Sequence, residues 1–396
     1  MLKGKTVILG ITGSIAAYKT ANLASALKKQ RCDVHVIMTE NACKFISPIT
    51  FETLTGNRCL VDTFDRSFEF QVAHISLAQK SDLIMIAPAT ANIMAKLANG
   101  IADNMLTTTV LAARCPKLIS PAMNTAMYEN PVTYDNMKKL EGYGFEIIEP
   151  ASGLLACNDT GKGKMPEPEI LEKHILKYLA MKKDMIGKKI LVTAGPTVEA
   201  IDPVRFITNH STGKMGYAIA RACMLRGADV TLVSGQTSVE PPMFVNIINV
   251  TSAEQMYSAV IDNFNDTDFV FKAAAVADYT PSQTHGEKMK KKDGDLEIEL
   301  KRTHDILAQL GKTKRENQFI CGFSMETENM IENSKTKLKN KNADMIIANN
   351  LKTNDAGFGT DTNVVTIITN DEVKELPKMT KFEVANAIID KALSTK

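Results

Sequence analysis

The chain has 396 residues, of which 44% are hydrophobic and 23% are charged. This is enough for two globular domains and excludes a disordered, coiled-coil or fibrous protein. The formal net charge of +2 and the absence of tryptophan argue against a nucleic-acid partner, which would call for a basic excess or an aromatic stacking surface. Seven scattered cysteines without a Cys-x-x-Cys pair predict reduced thiols in a cytoplasmic protein. We expect no membrane partner, because no apolar run reaches the length of about 18 residues that spans a bilayer.

Strand and helix patterns alternate through the first half of the chain. Apolar runs at 5–10 and 33–38 predict strands, with a helix over 14–29 between them. Two further apolar runs, 82–87 and 117–120, predict buried strands, and the first of these is followed by a turn and a helix. Alternation of this kind predicts a parallel, doubly wound sheet.

The second half starts the same series again. Apolar runs at 188–195 and 229–234 predict strands on either side of a helix near 213–226. A later strand is predicted over 270–279, with Asp278 at its end. The second half is therefore also predicted to form a parallel sheet with helices on both faces.

The repeated series predicts the architecture of the whole chain. The fold class is α/β, with two doubly wound, Rossmann-like domains and mainly parallel sheets. We place the domains at 1–180 and 187–396 and take the short, charged segment 178–187 as the linker. In such sheets, ligands bind where strands end and helices begin.

Three segments that follow predicted strands are therefore the candidate binding loops of the first domain. They are Gly13-Ser14, Pro88 to Asn92 and Pro121 to Asn124. The turn at Gly13-Ser14 leads into a predicted helix, whose first N–H groups could hold a phosphate, although a plain tight turn explains these residues equally well. The absence of a G-x-G-x-x-G motif argues against NAD.

Three side chains of the first domain suit acid–base or carboxylate chemistry, and each has a structural alternative. His74 could transfer a proton near neutral pH or have only a packing role. Asn124 could bind a carboxylate or cap the next helix. Cys157 lies in the glycine-rich segment 153–168, which predicts a mobile flap, so its thiol could donate a proton or be incidental. The residues alone leave these alternatives open.

The second domain offers another candidate anion site at the start of its predicted helix, where the helix dipole favours negative charge. The small and polar residues there are Asn209, Ser211, Thr212, Gly213 and Lys214. The carboxylate of Asp278 could bind a ribose, a base edge or a metal. The lysine-rich segment 287–292 is typical of a solvated face. Lys337 and Lys341 are four residues apart, so one side of a helix would carry both, either to hold phosphates or to face solvent.

Taken together, these motifs resemble two known families. Resemblance to the flavin-containing cysteine decarboxylases is carried by GITGSIAAYK, VAHISLA, APATAN, SPAMN and the ACND-x-G-x-G-x-MPEP segment. Resemblance to phosphopantothenate–cysteine ligase is carried by AGPTVEAIDPVRFITNHSTGKMG, AAAVADY, EKMKK, THDIL and GFSMET. In this order, over essentially the whole chain, they resemble the bacterial bifunctional family that joins phosphopantothenoylcysteine decarboxylase to this ligase in coenzyme A synthesis.

For the first domain, the resemblance implies an FMN-dependent oxidative decarboxylation of phosphopantothenoylcysteine, followed by reduction to 4'-phosphopantetheine. His74 matches the active-site base of the family, Asn124 its carboxylate-binding residue and Cys157 its proton donor for the reduction. The flavin would carry the redox chemistry while the protein positions substrate and protons. The predicted FMN contacts are Gly13, Ser14, Thr39, Pro88, Thr90 and Asn92.

For the second domain, the resemblance implies that 4'-phosphopantothenate and CTP give an acyl-cytidylate and pyrophosphate, with Mg²⁺ present. The amine of cysteine then attacks to form the amide. Asn209 matches the residue that handles the acyl-cytidylate, and Lys288 matches the one that acts in its formation or conversion. The predicted CTP contacts are Lys272, Ala273, Ala274, Asp278, His304, Asp305, Ile306, Leu307, Phe323, Lys337 and Lys341. Ligands for the metal are not identified.

The sequence departs from the common family pattern at three positions. Lys164 stands where arginine is usual, which weakens a bidentate contact. His304 stands where proline is common and Asn350 where aspartate is common. Because none of the three is a proposed proton donor, we expect both activities to be retained. The resemblance also implies a homo-oligomer, trimer-based through the flavin domain and dimeric through the ligase domain.

Two other functions are weighed against this one. The first is a flavoprotein that serves only as a binding or regulatory subunit, and the joint presence of His74, Asn124 and Cys157 argues against it. The second is a two-domain nucleotide-linked dehydrogenase, and the missing G-x-G-x-x-G motif in both halves argues against that.

Overall fold

A computed structural model describes residues 1–64, 73–154, 160–290, 297–326, 328–350 and 359–395. The chain forms two compact units, Met1–Lys182 and Lys183–Lys396, here called the first and second unit. Among the described residues, no helix combines the length and the apolar character that crossing a membrane requires.

The first unit is built on a five-stranded parallel sheet in the order β2-β1-β3-β4-β5, with a separate antiparallel hairpin, β6–β7. Its elements are β1 (Thr6–Ile11), α1 (Ala17–Lys29), β2 (Asp33–Met38), a 3₁₀ turn (Ala42–Lys44), α2 (Pro48–Thr55), α3 (Ala73–Lys80), β3 (Leu83–Ala89), α4 (Ala91–Ala98), α5 (Met105–Ala112), β4 (Lys117–Pro121), α6 (Thr125–Tyr128), α7 (Pro131–Gly142), β5 (Phe145–Ile147), β6 (Ala151–Leu154), β7 (Thr160–Lys164) and α8 (Pro168–Leu179).

The two central strands of this sheet are continuous apolar runs because helices cover both faces. Every residue of β1 and β3 is buried, as expected for a parallel sheet with two helical layers. On one face, Ile84, Ile86 and Ile119 pack with Met94 of α4 and Leu106 of α5. This packing fixes α4 and α5 on the sheet, and the loops that precede them are held at its carboxyl edge.

The second unit is built on an eight-stranded sheet in the order β12-β11-β8-β13-β16-β17-β19-β20. Its elements are β8 (Lys189–Ala194), β9 (Val198–Ala200), β10 (Phe206–Thr208), α9 (Lys214–Leu225), β11 (Asp229–Ser234), β12 (Asn246–Asn249), α10 (Ala253–Phe264), β13 (Phe269–Lys272), β14 (Tyr279–Pro281), β15 (Leu300–Arg302), α11 (Ile306–Thr313), β16 (Phe319–Glu326), α12 (Met330–Asn340), β17 (Met345–Asn350), β18 (Thr362–Asn363), β19 (Val365–Ile368), β20 (Val373–Glu375), β21 (Met379–Thr380) and α13 (Lys381–Thr395).

In this order along the sheet, the first six strands, from β12 across to β17, pair in parallel. β19 and β20 then add antiparallel pairs at one side. Three small antiparallel pairs lie outside this sheet: β9–β10, β14–β15 and β18–β21. The predicted α/β class with mainly parallel sheets is therefore confirmed in both units. The predicted helix near 213–226 is also confirmed, as α9, and Gly227 follows its end with a positive φ of 93°.

Two predicted boundaries are wrong, each for a local reason. The helix predicted over 14–29 begins only at Ala17, because Ser14 starts a turn in which its carbonyl accepts from the Ala17 N–H. The strand predicted over 270–279 ends at Lys272. Beyond it, the chain bends towards the end of β8, where the N–H of Ala275 donates to the carbonyl of Gly195.

The start of the second unit is held by a buried arginine. The side chain of Arg226 is 5% exposed and donates to both carboxylate oxygens of Asp184, at 2.8 Å each, and to Asp390 at 2.6 Å. The N–H of Met185, itself buried, donates to the carbonyl of Arg226. Residues before β8 are thereby joined to α9 and α13.

We predict that Arg226→Met lowers the free energy of unfolding of the second unit by about 3 kcal/mol, since it removes the buried guanidinium that binds Asp184 and Asp390. Arg221→Met is the matched control on α9. The Arg221 guanidinium lies 5.3 Å from the ring centre of Phe382, and an exposed contact of this kind contributes about 1 kcal/mol or less. Calorimetric unfolding of the two variants checks this. Equal losses in both would contradict the anchoring role of Arg226.

Candidate active sites

In the first unit, the strand order places a crevice between β1 and β3. Chain connections leave in opposite directions from these two strands, and in sheets of the order 2-1-3-4-5 this switch point is where ligands bind, FMN in flavodoxin-like folds. The residues that follow β1, β2, β3 and β4 are Thr12, Thr39, Thr90 and Ala122. The predicted binding loops therefore meet at one edge of the sheet.

A threonine hydroxyl joins the ends of β1 and β3. Thr12 is 2% exposed, and its Oγ1 donates to the carbonyl of Pro88 at 2.7 Å and accepts from the N–H of Thr90 at 3.1 Å. The hydroxyl of Thr90 then caps α4 by accepting from the N–H of Ile93 at 3.3 Å. This chain of bonds fixes the start of α4 against the end of β1.

Two adjoining cavities open at this edge, with volumes of about 640 and 710 Å³. Gly13 and Thr90 line both. A Cβ on Gly13 would lie 2.7 Å from the Cβ of Asn41, so only glycine lets the two loops approach this closely. Of the predicted FMN contacts, the cavities bring together Gly13, Ser14, Thr39, Thr90 and Asn92. Pro88 lines neither cavity and contributes the carbonyl that Thr12 binds.

Asn124 lines the second cavity and also caps α6. Its Oδ1 accepts from the N–H of Ala126 at 2.9 Å, so both roles considered for this residue are compatible. The hairpin β6–β7 lies directly against it, since the N–H of Met123 donates to the carbonyl of Gly163 at 3.0 Å. A Cβ on Gly163 would lie 2.3 Å from the Met123 carbonyl oxygen. Lys164, next in the hairpin, lines the same cavity.

Two other predicted residues of the first unit are Cys157 and His74. Cys157 falls between β6 and β7, outside the described residues, and its role stays a prediction. His74 is the second residue of α3, partly exposed, on a helix that packs against α5. It lines neither of the two cavities. The role of His74 as a base therefore stays a prediction.

The sequence reasoning missed a buried lysine at the second cavity. Lys19 is 6% exposed, and its ammonium donates to the carbonyl of Met165 at 3.2 Å and to Glu167 at 2.7 Å. It ties α1 to the segment that follows the hairpin. The signal was available, because Lys19 closes the GITGSIAAYK motif on a helix whose neighbouring positions Ala17 and Thr20 are buried.

In the second unit, most of the predicted nucleotide contacts line one cavity of about 380 Å³. Its lining residues are Lys272, Val276, Asp278, Tyr279, Arg302, Thr303, His304, Asp305, Ile306, Leu307, Lys337 and Lys341. Ala273, Ala274 and Phe323 lie beside it rather than in it. The N–H of Ala274 donates to the Thr193 hydroxyl at 3.1 Å, and the carbonyl of Phe323 accepts from Lys337 at 3.0 Å.

Helix ends position the charged groups of this cavity. Asp305 is the N-cap of α11, where its Oδ1 accepts from the Ala308 N–H at 2.9 Å, and its Oδ2 accepts from Lys341 at 2.7 Å. α11 and the end of α12 are in close contact, because a Cβ on Gly311 would lie 1.9 Å from the Lys341 carbonyl oxygen. His304 stacks on Tyr257 with ring centres 4.7 Å apart. The cavity is thus built from strand and helix ends.

The cavity has a positive potential that suits a polyanion. Burial, together with the ammonium groups of Lys337 and Lys341, lowers the pKa of Lys272 to about 8, although Asp305 and Asp278 oppose this shift. Burial works against ionisation of Asp305, but hydrogen bonds from Lys341 and a backbone N–H hold the pKa of its carboxyl below the usual range. Phosphate groups would relieve the mutual repulsion of the three lysines.

The remaining predicted residues of the second unit do not line this cavity. Asn209 follows β10, and its Nδ2 donates to the carbonyl of Ala275 at 3.1 Å, three residues before Asp278. Lys288 is exposed on the chain after β14. Lys214, at the start of α9, donates to Asp361 at 2.7 Å, so part of the positive charge expected at that helix start is paired within the protein. Asn350 closes β17.

The described ranges contain no group of three or more His, Cys, Asp or Glu side chains that could hold a metal ion.

Comparison with known proteins shows which families the two units resemble. The sequence model of the Flavoprotein family matches residues 1–180, and that of the DNA/pantothenate metabolism flavoprotein C-terminal domain matches residues 185–395. The coenzyme A biosynthesis bifunctional protein CoaBC of Bacillus subtilis is 48% identical over 98% of this chain and 97% of its own length. The chain belongs to the CoaBC family.

Other relatives include single-function and single-domain proteins. A cysteine/cysteine sulfinic acid decarboxylase from an unknown prokaryotic organism is 46% identical over 88% of this chain and 99% of its own length. The crystal structure of the C-terminal domain of a CoaBC protein is 46% identical, covers 53% of this chain and 96% of its own, and has a TM-score of 0.46. Like other CoaBC proteins, the chain is a bifunctional enzyme of coenzyme A biosynthesis, with a flavoprotein decarboxylase domain and a ligase domain.

The pKa of Lys272 gives a testable property of the cavity in the second unit. Binding of inorganic tripolyphosphate favours the charged lysine, so we expect the affinity to fall as the pH rises through about 8 and binding to take up protons. In Lys272→Arg the cation stays charged at every such pH, so the decline should be smaller. Calorimetric titrations of both proteins with tripolyphosphate from pH 7 to 9 check this. Protonation of tripolyphosphate itself affects both proteins equally and cancels when they are compared. An identical pH dependence would contradict it.

Proposed function

We propose that the chain converts 4'-phosphopantothenate, cysteine and CTP into 4'-phosphopantetheine, with ligation in the second unit and FMN-dependent decarboxylation in the first. The observation that carries the proposal is the cationic cavity of the second unit. Its lining residues come from three separate parts of the chain. Most of the nucleotide contacts inferred from the family resemblance are among them. Product analysis with CTP, ATP, GTP and UTP in turn tests the proposal, and we expect CTP to give the most amide.

The first unit offers features that suit FMN. The support consists of the crevice at the β1/β3 switch point, the loop approach that only Gly13 permits, and the two adjoining cavities. The turn at Gly13 and Ser14 would lie against the phosphate, and Thr39, Thr90 and Asn92 would line the rest. When bound, FMN supplies a reversible two-electron oxidation and reduction of the substrate's cysteine moiety.

The protein's own groups then handle the carboxylate and protons of the substrate. Asn124, whose Oδ1 accepts from the N–H of Ala126, is assigned to bind the carboxylate of the substrate. His74 is assigned as the base and Cys157 as the proton donor for the final reduction. A thiol, with a reference pKa of about 8.5, suits the latter step far better than a hydroxyl.

In the ligase reaction, the carboxylate of 4'-phosphopantothenate attacks the α-phosphorus of CTP and pyrophosphate leaves. The amine of cysteine then attacks the acyl carbon, and CMP leaves with its phosphate. Lys272, Lys337 and Lys341 offset the phosphate charge as it redistributes. Mg²⁺ would enter bound to the triphosphate, as it does in many nucleotide sites. Asn209 and Lys288 are assigned to the acyl-cytidylate.

We also propose that the chain assembles as a homo-oligomer, through trimer contacts of the first unit and dimer contacts of the second. Support comes from the family resemblance, together with the absence of His74 from the described residues that line the cavity of Asn124. Sedimentation velocity of the purified protein tests this assembly.

A second function is favoured by one relative, the cysteine/cysteine sulfinic acid decarboxylase. In that case the first unit would act on a free amino acid and the nucleotide cavity would be unnecessary. The two functions differ in whether release of CO₂ requires 4'-phosphopantothenate and CTP.

We predict that Lys288→Gln reduces ligation at least 100-fold and leaves decarboxylation of supplied phosphopantothenoylcysteine unchanged, because the two chemistries belong to different units. Lys290→Gln, an exposed lysine two residues on, is the matched control and should keep both activities. Separate assays for pyrophosphate and CO₂ check this. Loss of both activities in Lys288→Gln would contradict the division of labour.

We predict that Thr12→Val lowers FMN affinity at least tenfold, because it removes the hydroxyl that holds Pro88 and Thr90 together. Thr20→Val is the control. Thr20 is fully buried and its hydroxyl also donates to this segment, to the carbonyl of Ala87 at 2.7 Å, but from α1. Both variants should lose about 1–3 kcal/mol of stability, and only Thr12→Val should lose flavin on dialysis. Equal flavin retention would show that the Thr12 bonds do not shape the site.

A further inference from the structure

Asp202 is a buried carboxylate in the turn between β9 and β10. Its side chain is fully buried, and its Oδ1 accepts from the N–H groups of Val204 and Arg205 at 2.8 Å each. Its Oδ2 accepts from Nε of Arg205 at 2.9 Å. The Arg205 guanidinium and these N–H groups hold the pKa of the Asp202 carboxyl well below its usual range. The carboxylate is therefore charged and acts only as an acceptor.

The same carboxylate reaches a distant segment of the chain. Oδ2 of Asp202 accepts from the N–H of Met289 at 3.2 Å, and Nη2 of Arg205 donates to the carbonyl of Met289 at 3.1 Å. Both backbone groups of one residue are thus held by one ion pair. Lys288 is the residue immediately before it, and its side chain is exposed.

Two more bonds run along the same edge of the hairpin. The N–H of His285 donates to the carbonyl of Ile201 at 3.0 Å, and the hydroxyl of Thr284 donates to the carbonyl of Ala200 at 3.3 Å. The segment 284–289 therefore follows the hairpin and is fixed most firmly at its last residue.

The base of the hairpin is held by the core of the unit. The N–H of Val198 donates to the carbonyl of Thr251 at 2.8 Å, and the hydroxyl of Thr208 donates to the carbonyl of Thr197 at 2.7 Å. Asn209 comes directly after β10 and binds the Ala275 carbonyl. One hairpin thus carries Asn209 at its base and holds the neighbour of Lys288 at its tip.

We propose that Asp202, with Arg205, is a positioning residue for the ligase reaction, which sets Lys288 in place by fixing the backbone of Met289. The proposal rests on the function assigned to Lys288 above. A lysine ammonium sits on a flexible four-carbon stem, so the volume it can reach is set by where its backbone is held. Fixing the next peptide on both sides confines that volume.

Asp202→Asn tests this with a minimal change of shape. An amide has one acceptor oxygen where a carboxylate has two, and its NH₂ group would face N–H groups that now donate to the carboxylate. We expect kcat for amide formation to fall at least tenfold, while KM for CTP changes less than twofold, because the nucleotide cavity is lined by other residues. Arg205→Gln, which removes the donor to the Met289 carbonyl, should give the same pattern, so the test survives if one variant does not fold.

Asp344→Asn is the matched control. Asp344 also accepts a backbone N–H, from Ile320 at 2.7 Å, and pairs with Lys314 at 2.5 Å. Both of these partners lie outside segment 284–289. Its replacement should lower the temperature of unfolding and leave kcat unchanged. A fall in kcat in this control equal to that of Asp202→Asn would overturn the proposal, since general destabilisation would then explain both.

A double-mutant cycle separates positioning of Lys288 from a purely structural role. Residual amide formation by Lys288→Gln, followed with radiolabelled cysteine at high enzyme concentration, should not fall further when Asp202→Asn is added. Multiplicative losses, or a normal kcat in Asp202→Asn, would overturn the proposal. Wild-type ligation by Lys288→Gln alone would instead show that the function assigned to Lys288 is wrong.

Discussion

In both units a buried threonine joins the carboxyl ends of two neighbouring parallel strands, and the sites are built around that bond. Thr12 accepts from the N–H of Thr90 at the β1/β3 junction, and Thr193 accepts from the N–H of Ala274 at the β8/β13 junction. Both threonines are buried. Beyond the last hydrogen bond between two parallel strands, the backbone groups of the following loop have no partner in the sheet. A side chain at the end of one strand can supply that partner and so fix the loop of the adjacent strand.

From the same scaffold, the two units develop different chemistry. The cavities of the first unit are large, and the buried ammonium of Lys19 beside them is already bound within the protein. The cavity of the second unit is smaller and carries Lys272, Lys337 and Lys341. Burial, with repulsion from the other two ammonium groups, lowers the pKa of Lys272. A triphosphate fits the second environment, and a flavin with an uncharged ring system fits the first. The charges, rather than the fold, distinguish the two active sites.

The sequence predicts features that local pattern determines. Fully apolar runs such as β1 and β3 can only be strands covered on both sides, so the parallel sheets and the loops after each strand follow directly. The end of β13 at Lys272 was missed because it depends on the contact of Ala274 and Ala275 with β8. The Asp202–Met289 bonds were missed for a similar reason, since they join residues far apart in the chain. Spacing carries no signal of such contacts, and only the fold brings these groups together.

The central claim is that decarboxylation acts on the product of the ligase and not on free cysteine. The most direct measurement follows ¹³CO₂ released from cysteine labelled at its carboxyl carbon, with enzyme, FMN and Mg²⁺ present. We predict no labelled CO₂ until both CTP and 4'-phosphopantothenate are added. From then on, CMP, labelled CO₂ and 4'-phosphopantetheine should form in equal amounts. Labelled CO₂ from cysteine alone, at a rate that CTP does not change, would contradict the account.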